Sequence, residues 1–73
     1  MMRYDQQNAL LQLAKRCNAE CMRATDGAKP KEYTQITMPI FSKYERQASA
    51  IGATLVQLKY RIAVMNGVIN EQR

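Results

Sequence analysis

The stretch Thr25-Asp26-Gly27-Ala28-Lys29-Pro30 is the one cluster in this 73-residue chain that reads as a turn, and it decides the fold. Gly27 is placed to take the left-handed conformation that ends a helix, because without a Cβ it does so at no steric cost. Pro30 is placed to open the next helix, where its missing N–H belongs to a group with no intrahelical partner anyway. On both sides the sequence is helix-forming, with no strand pattern, internal repeat or low-complexity run. The spacing predicts a helix over about 4–25, a turn over 26–30 and a helix over about 31–70. Residues 1–73 then form one all-α domain, an antiparallel helical hairpin of coiled-coil type.

In the first segment Leu10, Ala14, Cys17, Cys21 and Ala24 step by four, three, four and three, which keeps one face of a helix apolar. Asp5 precedes it as the expected N-cap. In the second segment Tyr44, Ala48, Ile51, Leu55, Leu58, Ile62, Met65 and Ile69 hold the same rhythm. Tyr33, Ile36 and Ile40 extend it backwards. Pro39 interrupts this segment, since it removes a ladder N–H and disfavours the helical conformation at Met38. A kink or a very tight break is expected there.

The lengths of the two helices differ. At about 1.5 Å per residue the first spans roughly 33 Å and the segment after Pro39 roughly 47 Å. Packed from the Gly27 turn, the first helix runs out near Leu55 to Leu58. Lys59 to Asn70 is left over, and it is apolar on most of its faces: Ile62, Met65 and Ile69 on the main stripe, Val64 and Val68 away from it. Gly52, Ala63 and Gly67 are small enough to let another helix approach closely. The expectation is that a partner covers this end, with Leu55, Leu58, Ile62, Met65, Val68 and Ile69 as contact residues. The other reading is that the overhang folds back or frays and that its apolar residues are merely scattered.

Composition narrows the chemistry. Hydrophobic residues make up 47% of the chain and charged residues 23%, too apolar for a disordered tail. There is no His, so the commonest general base and metal ligand is missing. No nucleophile stands near a base, no carboxylates pair at catalytic spacing, and no glycine loop could cradle a phosphate. The chain is not expected to be an enzyme or to hold a cofactor. Two cysteines without His cannot complete a tetrahedral metal site. Cys17 and Cys21, one helical turn apart, are either small buried thiols or a reactive pair. Eleven Lys and Arg against six Asp and Glu give a charge of +5, which raises nucleic acid as a partner. The cations are spread along the chain, however, with no helix-turn-helix or basic-zipper block. No apolar run reaches membrane-span length, and the N-terminus does not read as a signal peptide.

The turn ends in Pro-x-x-Tyr-x-Gln, here Pro30, Tyr33 and Gln35, and the following segment carries Gln47-Ala48, Ile51 and Tyr60-Arg61. With a hairpin of about this length, these residues resemble the small needle-protein co-chaperones of bacterial type III secretion systems, of the YscE/PscE/EscE type. The resemblance covers about Leu10 to Ile69, and Pro39 departs from it. It implies a bacterial cytoplasmic protein without enzymatic activity that binds a tetratricopeptide-like co-chaperone. The resulting complex keeps the needle subunit soluble and monomeric before export. It also adds Tyr33 to the partner-binding residues. The competing expectation is a small homo-oligomeric regulator that binds nucleic acid through its basic surface. Self-association when alone is compatible with both.

Overall fold

A computed structural model describes residues 4–67, all of whose regular elements are helical. Helix α1 is Tyr4–Ala24, α2 is Tyr33–Ala50 and α3 is Leu55–Met65. Gly27 takes a φ of +80° in the first connection, and a single 3₁₀ turn over Pro30–Glu32 leads into α2. There the Lys29 N–H donates to Glu32 Oε1 at 3.2 Å. Asp5 is not the cap of α1. The chain is already helical at Tyr4, and the Asp5 carboxylate accepts from the Gln6 N–H at 2.9 Å within the first turn.

Pro39 neither ends nor divides the second helix, which runs through it as one element. Its missing N–H deprives the Gln35 carbonyl of a helical donor, but both residues are exposed and water can replace that bond. The helix expected over 31–70 stops instead at Ala50. Gly52, at φ +81°, takes the position after the C-cap residue Ile51. The Gly52 N–H donates to the Ser49 carbonyl at 3.0 Å and the Ala53 N–H to the Ala48 carbonyl at 2.9 Å. This is the paired bonding of a Schellman stop. Its usual apolar accompaniment is present too, because Ala48 and Ala53 are both buried.

Two residues later Thr54 starts α3 with a capping box. The Gln57 N–H donates to Thr54 Oγ1 at 3.2 Å, and the Thr54 N–H donates to Gln57 Oε1 at 2.8 Å. The chain therefore turns over Ile51–Thr54 and folds back. Gln6 on α1 lies against Ile51 at the end of α2, with its amide Nε2 donating to the Ile51 carbonyl at 3.2 Å, while Glu20 meets Lys43. These contacts make α1 and α2 antiparallel. Asn66, just past α3, donates from Nδ2 to Asn18 Oδ1 at 3.1 Å, so α3 runs alongside α1 in the same direction. The two-helix hairpin with an overhanging second helix is thus replaced by three helices running up, down and up. Among them α1 touches both others and α2 also touches α3.

The buried core draws on every element: Leu10, Leu13, Ala14 and Cys17 from α1, Tyr44 and Ala48 from α2, Ala53 from the connection and Leu58 from α3. Ile62 and Met65, expected to be uncovered, pack against this core. The apolar stripe of the second segment is real, but it belongs to two helices that each turn it toward α1. The last helix ends at Met65, before a left-handed Gly67 at φ +77°. Val68, Ile69 and Asn70 lie outside the described residues.

Candidate interaction surface

The expected contact residues divide once placed in the fold. Leu58 is fully buried inside the chain and is not available to a partner. Leu55, Ile62 and Met65 are partly buried and face the core beside it. Tyr33 is exposed at the start of α2. Val68 and Ile69 are outside the described residues. Folding back of α3 therefore takes most of the expected surface for the chain's own core.

The same movement creates a different surface. A cavity of about 440 Å³ opens between α1 and α3, lined by Gln7, Leu10, Val56, Gln57, Tyr60 and Arg61. A neighbouring cavity of about 220 Å³ is lined by Tyr4, Asn8 and Leu11, and it shares Gln7 and Arg61 with the first. The two adjoin along the α1–α3 seam, with Gln7 and Arg61 common to both. Large apolar side chains stand out of it: Tyr4 is 85% exposed, Val56 77% and Tyr60 42%. A cluster of this kind is costly to leave in water and marks a surface to be covered. Val56 and Tyr60 lie off the core-facing stripe of α3, which is why they remain outside once Leu58, Ile62 and Met65 have turned in.

A second cleft, about 270 Å³, lies between α2 and α3 beside Met38, Phe41 and Leu55. Lys59 spans it, with Nζ 4.9 Å from the centre of the Phe41 ring, so its cation rests on an aromatic face of this chain. This contact holds α3 against α2.

The titratable groups of the core-facing region are structural. Lys43 Nζ donates to both oxygens of Glu20 at 2.8 Å, and Tyr44 Oη donates to Glu20 Oε1 at 3.0 Å. The Lys43 and then the Tyr44 hydrogen bonds hold the Glu20 carboxyl below its ordinary range. Burial, followed by the proximity of Cys21, pushes the Cys17 thiol up to about 12. Burial also raises Cys21, although its hydrogen bond with Cys17 works in the opposite direction. Both cysteines are free thiols, Cys17 buried and Cys21 half-buried, in surroundings that disfavour the reactive thiolate. Among the described residues, no three His, Cys, Asp or Glu side chains gather where a cation could be held. Among the same residues, no helix is long and apolar enough to cross a membrane.

Sequence reasoning overlooked Tyr4, Gln7, Val56 and Tyr60 as a surface because it carried one helix through Gly52. The signals for the break were present: a glycine followed by Thr54-Leu55-Val56-Gln57, a capping-box pattern at the start of an apolar run. Comparison with protein families, curated proteins and solved structures finds no match to this chain.

Proposed function

We propose that this chain is a small helical interaction module whose α1–α3 groove docks on a larger helical protein, in the manner of a co-chaperone. The observation that carries the reading is the exposure of Tyr4, Val56 and Tyr60 beside two adjoining cavities on the α1–α3 seam of a folded unit. A domain of this size has a thin core, so covering that groove would add stability that the isolated chain lacks. The narrower form of the reading is a cytoplasmic co-chaperone of a type III secretion needle subunit, bound to a tetratricopeptide-like chaperone. It rests on the Pro30, Tyr33 and Gln35 turn motif. The break over Ile51–Thr54 departs from the long second helix that this resemblance implies, and it moves the expected contact from the Leu58 face to the α1–α3 groove.

The test is co-expression of the tagged chain with the helical-repeat chaperone and needle subunit of a type III system, followed by size-exclusion chromatography. A stable complex that Val56→Glu disrupts, with the helical content of the variant unchanged, supports the reading. Failure to co-purify, together with tight and salt-dependent binding of DNA or RNA in a gel shift, would replace it with the nucleic-acid regulator.

A further inference from the structure

The connection between α2 and α3 is short, and the apolar stripe crosses it without losing step. Ile51 to Leu55 is four residues and Leu55 to Leu58 three, so Ala48, Ile51, Leu55, Leu58 and Ile62 would share one face of an unbroken helix. Nothing in Ile51–Thr54 forbids that helix. There is no proline, Ala53 is the best of helix formers, and Gly52 opposes it only mildly. The reversal is held by local groups instead. Gly52 stands at φ +81°, its N–H donates to the Ser49 carbonyl at 3.0 Å, and the Ala53 N–H donates to the Ala48 carbonyl at 2.9 Å. Gln6 Nε2 adds its bond to the Ile51 carbonyl at 3.2 Å. A change of backbone at these four residues separates three helices from two.

We infer that the chain exchanges α3 with a second copy of itself, through a form in which Ile51–Thr54 is helical and α2 and α3 are one continuous helix. The fold itself names the occupant. The face that receives Leu58, Ile62 and Met65 already fits α3, and a second copy brings an identical α3. Opening of a single chain would put the fully buried Leu58 and its neighbours into water. Two open chains bury them again, each on the α1 of the other. The directions agree with this. In the closed chain α3 runs with α1 and against α2. Two continuous helices lying antiparallel about a twofold axis reproduce both relations. The contacts of α3 are then the same in monomer and dimer, so the connection and the protein concentration set the balance between them. The exchange stands apart from docking at the outer side of the α1–α3 seam.

The experiment measures the mass of the full chain by size-exclusion chromatography with light scattering, after refolding from urea at low and at high protein concentration. Circular dichroism checks that each variant is helical. The native chain is expected to give a monomer from dilute refolding and a mixture with dimer from concentrated refolding. The dimer should revert slowly on dilution, because α3 must leave α1 first. Gly52→Ala penalises the φ of +81° and favours the helix, so it should strengthen dimerisation about tenfold per connection, or about a hundredfold for the pair. Leu55→Pro should do the reverse. Leu55 is the first residue of α3 and follows an extended Thr54, where proline suits the closed chain. Within a continuous helix the same ring would clash with the Ile51 carbonyl. Leu55→Pro should therefore hold the chain monomeric, alone and combined with Gly52→Ala. Exchange is overturned if folded Gly52→Ala dimerises no more strongly than the native chain. It is also overturned if Leu55→Pro leaves the dimer in place, because the copies then associate by their surfaces. Should Gly52→Ala not fold, a native chain that stays monomeric after concentrated refolding overturns it.

Discussion

The Tyr44 hydroxyl donates a hydrogen bond to Glu20 Oε1 at 3.0 Å, joining the middle of α2 to the last third of α1. The same carboxylate receives both short bonds from Lys43, so two neighbouring residues of α2 meet one acid across the seam. Tyr44 buries its ring in the core while its hydroxyl reaches this surface acid, which gives a buried aromatic the partner it needs. Because Glu20 is held below its ordinary value of 4.5, the folded state binds that proton less readily than the unfolded state. Its contribution is present above the ordinary value and is lost as the pH falls through the lowered one. Glu20→Gln should therefore melt below the native chain near pH 7. The two melting temperatures should converge in acid once the pH has fallen below the lowered value, where the carboxylate is protonated in both states. Thermal melts across that range check this, and a constant gap would show that Glu20 acts through its shape and not its charge.

Leu58 and Val56 are two residues apart on α3 and separate its structural role from its binding role. Leu58 is fully buried, so Leu58→Ala should cost about 2–5 kcal/mol. That is a large share of the stability a core this small supplies, and loss of α3 docking should follow. Val56→Ala, at a site 77% exposed, should change stability by no more than about 0.5 kcal/mol while weakening partner binding. Urea titration followed by circular dichroism distinguishes the two.

Gly52 and Gly27 share a left-handed backbone but differ in their surroundings. A Cβ at Gly27 would meet nothing within 4 Å, whereas one at Gly52 would lie 3.1 Å from Gln6 Nε2. Gly27→Ala should thus cost only the backbone penalty, about 1 kcal/mol. Gly52→Ala should cost about 2 kcal/mol, because it also disturbs the amide that bonds the Ile51 carbonyl. Differential scanning calorimetry should show the larger drop in Tm for Gly52→Ala. In a Gln6→Ala background the difference between the two glycine variants should shrink.

Pro39 sits exposed inside α2. Interior prolines cost about 3 kcal/mol in helices, partly offset by the restriction that proline places on the unfolded chain, about 1 kcal/mol. Pro39→Ala should accordingly stabilise the fold by about 2 kcal/mol. An unchanged denaturation midpoint would mean that α2 has already relaxed around the ring.

For Cys17, moving from an ordinary value of 9.0 to about 12 cuts the thiolate fraction at pH 8 about a thousandfold, and burial blocks access as well. Iodoacetamide at pH 8 should label the half-buried Cys21 first and leave Cys17 intact until urea is added, as mass spectrometry would show. Since the shift is upward, the contribution of this thiol to stability is complete below pH 9 and declines as the pH rises toward 12. Equal labelling of both thiols in the folded chain would contradict the packing of α1 against α2.

The sequence alone determined that the chain is helical, where its first connection lies and which face of each segment is apolar. Those properties are local. Gly27 and Pro30 act through their own backbones, and the steps from Leu10 to Cys21 and from Tyr44 to Met65 reflect a helical period that any interior would demand. Periodicity reports which way a helix faces but not whether two helices in phase are continuous. The stripe kept its rhythm across Ile51–Thr54 because both α2 and α3 bury against α1, and so one long helix and two short ones carried the same pattern. Pro39, the residue that most clearly opposes a helix, lies within one, because at an exposed site water supplies what the ring removes. Only the tertiary structure decided that the chain reverses at Gly52. There α2 has reached the start of α1, Gln6 can receive the end of the helix, and Leu58, Ile62 and Met65 lose more water by packing on α1 than by projecting past it. That reversal moved the candidate surface from the Leu58 face to Tyr4, Val56 and Tyr60.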